Sequence, residues 1–176
     1  LDKQKYRKKI FIGGNHDNLI KKMGCPPETL PDNTEYLCDS GTEFEGLKIW
    51  GSPWTPWFKG VNPKCTAFMK KDEELSDKWE MIPSKTDILI THGPAYGILD
   101  GIPMDDGSLH HCGSRSLYSW LKYVERPAYH VFGHIHEAFG YDEYFSQYSG
   151  NMMQSINCSH VDENYKPVNK PIRIEL

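Results

Sequence analysis

Three short motifs in this chain carry side chains able to bind a metal ion or move a proton. They are Gly14-Asn15-His16-Asp17, Thr91-His92-Gly93-Pro94 and Gly133-His134-Ile135-His136. In extended chain, residues i and i+2 project to the same side. His134 and His136 are therefore expected to reach one common cluster, with Ile135 turned back into the core. Asn15 can ligate through its amide oxygen, and His16 beside it can face a substrate. Gly13 and Gly14 let the backbone turn sharply and let a phosphate come close. Imidazole and amide oxygen suit Mn²⁺, Fe or Zn²⁺. Each motif alone has a plainer explanation. Gly-Asn-His-Asp could cap a helix starting near Asn18, and Thr-His-Gly-Pro could be an ordinary turn after a strand. Together they point to a metal centre with Asn15, His92, His134 and His136 as ligands.

Each motif follows a short apolar run that reads as a buried strand: Lys9 to Ile12, Asp87 to Thr91, and His130 to Phe132. Strands covered on both faces are near-continuously apolar. In α/β sheets, ligands gather beyond the carboxyl ends of the strands, where all three runs place their polar residues. Helical patterns separate them. Asp72 to Met81 opens with acids, as a helix start prefers. Ser116 to Arg126 sets Leu117, Trp120, Leu121 and Val124 on one face, and Pro127 stops it. Tyr36 to Trp50 reads as a hairpin turning at Asp39-Ser40-Gly41. Met152 to Cys158 and Pro171 to Leu176 read as two further strands. The class expected is α/β, in layers.

Composition narrows the partners. The 176 residues are 38% hydrophobic and 25% charged, a folded globular balance. Net charge is −4 and the sequence pI about 6.1, so no nucleic acid polymer is expected. The basic runs Lys3 to Lys9 and Lys70-Lys71 read as solvated surface. No run approaches the roughly 18 apolar residues of a membrane helix, and no signal peptide is visible. The five cysteines are widely spread, with no C-x-x-C pair. Free thiols in a reducing, cytoplasmic setting are the expectation. The aromatic loop Trp50 to Phe58 could stack a nucleobase or simply cover the sheet. Leu109 to Gly113 reads as a loop despite His110, His111 and Cys112. Asp100, Asp105 and Asp106 read as a solvated loop.

The three motifs in this order resemble the calcineurin-like metallophosphoesterase superfamily. Gly51-Ser52-Pro53-Trp54-Thr55-Pro56-Trp57-Phe58, Asp77-Lys78-Trp79 and His130 to Glu137 resemble, more narrowly, its metallophosphoesterase-domain-containing branch. So do Ile156-Asn157-Cys158-Ser159 and Pro171-Ile172. The resemblance implies a four-layered α/β/β/α sandwich and a centre of two divalent metals (Mn, Fe or Zn). Asn15, His92 and His134 would hold one metal and His136 the other. Asn15, His16 and Gly93 would meet substrate. His16 would act as general acid and Asp17 would orient it. The implied reaction is hydrolysis of phosphodiesters or phosphomonoesters, nucleotide-type among them, by a metal-bridging hydroxide.

One part of the pattern is missing. The family's earlier Asp-x-His and Gly-Asp do not precede Asn15, where Asp2 is the only acid. The expectation is that residues 1–176 form a single domain lacking its N-terminal strands. Such a chain alone would hold metal weakly and turn over poorly, because no anionic ligand joins the neutral donors. The competing reading is a nucleotide-binding module that keeps the fold without efficient turnover. A zinc amide hydrolase would want H-E-x-x-H, which is absent.

Overall fold

The computed structural model describes residues 5–23, 30–58, 62–123, 127–145 and 150–175. Strand β1 (Lys9–Ile12) is followed by the short helix α1 (Asn18–Met23) and by β2 (Thr34–Leu37). β1 and β2 pair in parallel, Ile12 opposite Leu37, as a small sheet. The chain then crosses to a larger sheet, starting with β3 (Ser40–Phe44) and β4 (Leu47–Ser52). Beside it lies a short parallel pair, β5 (Thr55–Pro56) and β6 (Met69–Lys70). A 3₁₀ turn at Asp72–Leu75 leads into α2 (Ser76–Trp79), then β7 (Ile88–Thr91). An antiparallel hairpin follows, β8 (Gly101–Pro103) and β9 (Leu109–His111), then α3 (Arg115–Tyr123). The chain continues through β10 (Tyr129–Phe132), β11 (Gly140–Phe145) and β12 (Met152–Asn157).

The large sheet runs β11-β12-β10-β7-β4-β3. Its four inner strands are mutually parallel, and both edge strands are antiparallel to their neighbours. The carboxyl ends of β4, β7, β10 and β12 therefore share one rim. Successive residues face opposite ways, and the sequence uses both faces. Ile49, Ile88 and Val131 point toward the small sheet, where they meet Leu37, Ile10 and Ile12. Trp50, Leu89 and Phe132 point the other way, onto Trp79, Leu117 and Leu121. The described layers are thus small sheet, large sheet and helices, an α/β sandwich. Helix α1 buries none of its residues, so it does not act as a packed outer layer. The two sheets approach closely at Gly51. A Cβ there would fall 2.4 Å from Leu37 Cβ and 2.8 Å from Ile12 Cγ2.

Several expected boundaries move for identifiable reasons. The hairpin turn is Glu45-Gly46, not Asp39 to Gly41. Both its residues have positive φ (52° and 84°), as a two-residue hairpin turn demands. Asp39 instead marks the crossover between sheets. Its carboxylate accepts from Ser52 Oγ (2.7 Å), Trp54 Nε1 (2.8 Å) and Lys78 Nζ (2.8 Å). The helix expected over 72–81 shortens to a 3₁₀ turn plus α2, because Asp72 has another task. It accepts from the N–H groups of Arg115 and Ser116, both at 3.0 Å, capping α3. Leu117 and Leu121 are buried on that helix as expected. Residues 124–126, with Val124 and Arg126, lie outside the described residues, as do Lys3, Cys25 and Leu176. Residues 171–175 form no strand. β5, β6, β8, β9 and β11 went unforeseen, and β9 takes Leu109–His111 out of the expected loop. Trp50 is buried and Trp54 packs on the helical core, whereas Trp57 and Phe58 are about half exposed.

His130 has no solvent exposure. Thr91 Oγ1 donates to Gly93 O at 2.7 Å and accepts from His130 Nε2 at 2.8 Å, holding the turn that follows β7. Burial pushes the His130 pKa down from 6.5 to about 3. Between those values the unfolded chain binds a proton that the folded chain refuses. Stability is fully present above the unfolded pKa and is lost as pH falls toward 3. Going from about pH 6.5 to about pH 5 should remove roughly 2 kcal/mol through this group, at about 1.4 kcal/mol per pH unit. Urea unfolding at a series of pH values checks this. His130→Gln, which keeps an N–H for Thr91, should flatten the slope by about one proton's worth.

Candidate metal centre

The three motifs meet at the rim where the parallel strands end. Gly13 to Asp17 follow β1, His92 follows β7, and His134 and His136 follow β10. The loops after β7 and β10 are tied directly, Gly133 N–H donating to His92 O at 3.1 Å. Between the sheets at this rim lies a cavity of about 250 Å³. Ile12, Ile90 and Val131 line its apolar side, and Asn15, His16, Asp17 and His92 its polar side. Gly14 is required by close approach. A Cβ there would lie 2.5 Å from His92 Cε1 and 2.6 Å from its Nδ1.

Asn15 is 6% exposed, and its Oδ1 sits 2.8 Å from His92 Nε2. His92 and His134 face each other with ring centroids 4.6 Å apart. Burial lowers the His92 pKa to about 3, helped by His134, His16 and His136. Burial lowers that of His134 to about 4, helped by His136 and His16. Both rings are therefore neutral near neutral pH, with a nitrogen lone pair available to a cation.

The His134 to His136 segment is bent, not a continuation of the strand. His134 has φ of 74°, a left-handed conformation rare for such a side chain. Ile135 is extended, and His136 opens a short 3₁₀ turn. The bend is held at Ile135 O, which accepts from Asn157 Nδ2 (2.8 Å) and Ser159 Oγ (3.3 Å). Ile135 is buried, as its position between the two histidines implies. His136 Nδ1–H donates to Asp162 O at 3.0 Å, leaving the Nε2 lone pair free. The Tyr165 ring lies edge-on between His136 (5.3 Å) and His16 (6.5 Å).

Asp17 does not take the partner expected of it. Its Oδ2 accepts from Gly14 N–H at 2.7 Å and so fixes the turn, while His16 Nδ1 lies 3.3 Å from Cys65 Sγ. A carboxylate three residues after an open N–H closes a local ring before it can reach a neighbouring imidazole. Cys65, Asp162 and Tyr165 were not singled out from sequence. Asp162 acts through its backbone carbonyl, and the other two sit in loops without strand or helix pattern. Asp100 is likewise not solvated. It is 1% exposed and accepts from Gly97 N–H, Gly113 N–H (both 3.0 Å) and His111 Nδ1 (2.6 Å). His111 is thus paired with a buried carboxylate. Asp105 and Asp106 are exposed.

The donor chemistry fits a divalent metal: His92 Nε2–H donates to Asn15 Oδ1, and a cation would take that proton's place between the two atoms, with His134 alongside. The set is not closed, however. Among the described residues, no three His, Cys, Asp or Glu side chains converge as a metal site. Asp17 is an acid lining the same cavity, and its Oδ2 is taken by the Gly14 N–H.

Gly14→Ala tests how much the site depends on the His92 position. The added methyl must displace the ring. Mn²⁺ affinity of the full-length protein, read by paramagnetic resonance titration, should fall about 10–100-fold, the cost typical of disturbed ligand support. Far-ultraviolet circular dichroism should stay unchanged.

Comparison with known proteins places this geometry. Residues 1–138 match the sequence profile of the family described as calcineurin-like phosphoesterase. The chain is 34% identical over 194 residues to human metallophosphoesterase domain-containing protein 1, across 97% of this chain and 56% of that protein. It is 39% identical over 152 residues to the Caenorhabditis elegans UPF0046 protein C25E10.12, across 77% of this chain and 52% of that one. The chain thus spans about half the length of the curated relatives it matches. One solved structure, 16% identical, superposes with a TM-score of 0.59 over 86% of this chain and 57% of its own, a likeness of fold. With its motifs gathered at one rim and its profile matched over most of its length, the chain belongs to the calcineurin-like phosphoesterase family.

Proposed function

We propose that the full-length protein is a metal-dependent hydrolase of small phosphoesters, diesters or monoesters and nucleotide-type among them. The observation that carries this reading is the meeting of Asn15, His92 and His134 at one rim, with His16 and His136 beside them. Asn15, His92 and His134 would hold one divalent cation and His136 a second, with Mn, Fe or Zn compatible. Bound there, the cations would neutralise phosphate oxygens and make water a competent nucleophile at neutral pH.

The chain's own residues supply the rest. His16 stands at the polar side of the cavity as the proton donor to the leaving oxygen. Asp17 holds the Gly14 N–H, so the turn presents Asn15 and His16 together. Gly93, which would meet substrate beside His92, is held close against Thr55, where a Cβ would fall 2.7 Å from its Oγ1. The apolar residues behind the donors exclude water, which strengthens every charge interaction in front of them.

The remaining family ligands would come from strands completing the small sheet. β1 has no strand partner on its second edge among the described residues, which supports residues 1–176 being part of one larger domain. Net charge of −4 supports a small substrate over a nucleic acid polymer. Among the described residues no helix is long and apolar enough to cross a membrane. Cys38, Cys65, Cys112 and Cys158 are free, which supports a reducing compartment such as the cytoplasm. The unclosed donor set favours one alternative, a nucleotide-binding module with little turnover.

The test is hydrolysis of bis(p-nitrophenyl) phosphate by the full-length protein with Mn²⁺. Activity is expected, and His16→Ala should lower kcat by about 100-fold or more on a phosphodiester with an alkyl leaving group, with a much smaller loss on bis(p-nitrophenyl) phosphate. Nucleoside monophosphate binding without turnover under Mn²⁺, Fe²⁺ or Zn²⁺ would favour the binding module instead.

A further inference from the structure

We propose that Cys65 is a positioning residue for His16, its thiol selecting which imidazole nitrogen is offered to the substrate. This rests on the reading of His16 as the proton donor.

The contact is built, not incidental. Cys65 Sγ lies 3.3 Å from His16 Nδ1. The segment carrying Cys65 is bonded to the residues on both sides of His16. Asn15 Nδ2 donates to Cys65 O at 3.4 Å, and Ala67 N–H donates to Asn15 O at 3.1 Å. Asn18 Nδ2 donates to Lys64 O. The segment is also fastened within itself, Cys65 N–H to Asn62 O at 2.8 Å and Lys64 N–H to Asn62 Oδ1 at 2.9 Å. With Asn15 and Asn18 both tied to this segment, His16 is held against the thiol between them.

The carboxylate nearest in sequence cannot do the same work, because Asp17 Oδ2 is committed to Gly14 N–H. The Tyr165 ring stands on another side of His16, edge-on at 6.5 Å, and limits its swing. A thiol donating to Nδ1 places the imidazole proton on Nε2, the nitrogen directed away from Cys65. As an acid the ring acts in its protonated form, where Nδ1–H donates to Cys65 Sγ and Nε2–H faces the substrate. The Nε2 proton passes to the leaving oxygen, the ring is left neutral, and solvent returns the proton. Cys65 itself forms no bond to substrate and keeps its own proton throughout.

The experiment compares full-length wild type, Cys65→Ala and Cys65→Ser, loaded with Mn²⁺, on two phosphodiesters. One has a p-nitrophenyl leaving group, which departs with little help from an acid. The other has an alkyl leaving group, which needs the proton. Cys65→Ala should lower kcat on the alkyl ester about tenfold, a share of what an acid supplies, with change within about twofold on the aryl ester. KM should hold, and Cys65→Ser, whose hydroxyl can also donate to Nδ1, should recover most of the loss. Equal losses on both esters, or none on either, would overturn the assignment. The second readout does not need turnover. ¹⁵N shifts of His16 in the metal-free protein should show a single Nε2–H tautomer in wild type and a mixture in Cys65→Ala. Identical shifts in the two would overturn the pairing. A wild type inactive on both esters would instead count against the phosphoesterase reading, leaving the tautomer result to decide on Cys65.

Discussion

Asn15 and His92 follow strands of different sheets, and the 2.8 Å contact between them joins the two loops at the rim. The contact needs three things at once. The small sheet must press close on the large one, which Gly51 allows by presenting no side chain to Leu37 and Ile12. β1 must end level with β7, and the loop after it must turn at Gly14, over which the His92 ring lies. Asn15 must stay buried, as it does, with His92 partly buried against it. Once these conditions hold, the neighbouring imidazoles have little freedom. His134 is carried in by the tie between Gly133 and His92, and His136 is aimed by Asp162.

The same burial that fixes the rings sets their chemistry. A solvated histidine near neutral pH spends part of its time as a cation, repelling metals and other histidines. Here desolvation comes first and the neighbouring imidazoles second, and both favour the neutral form of His92 and His134. The cluster is therefore stable as a set of lone-pair donors and unstable as a set of charges. The left-handed backbone at His134 points the same way: a conformation that costs about 1–3 kcal/mol is kept where the surrounding bonds, here from Asn157 and Ser159, over-determine it.

Much of this could be read before any coordinates. Three apolar runs ending in Gly and His gave three of the strands that carry the rim, because buried parallel strands need continuous apolar sequence and their polar residues collect at one end. What stayed hidden follows a different physics. Asp39 and Asp72 look like ordinary turn and helix-start acids, yet each satisfies partners tens of residues away, which no local pattern encodes. Asp100 reads as a loop acid, yet it is buried where the Gly97 N–H, the Gly113 N–H and His111 converge on it. Cys65 and Tyr165 stand by His16 through loop geometry alone. β11 lies on an edge with four of its six residues exposed, so its apolar signal is weak.

The proposed function requires that the neutral imidazoles and one carboxamide at the rim share a common cation position. X-ray absorption on the Zn²⁺-loaded full-length protein addresses that directly. Nitrogen and oxygen scatterers at about 2.0–2.1 Å with outer-shell scattering from several imidazole rings are the result expected. That imidazole signal should weaken in His134→Ala. An all-oxygen shell without imidazole scattering, or a spectrum indifferent to His134, would contradict the account.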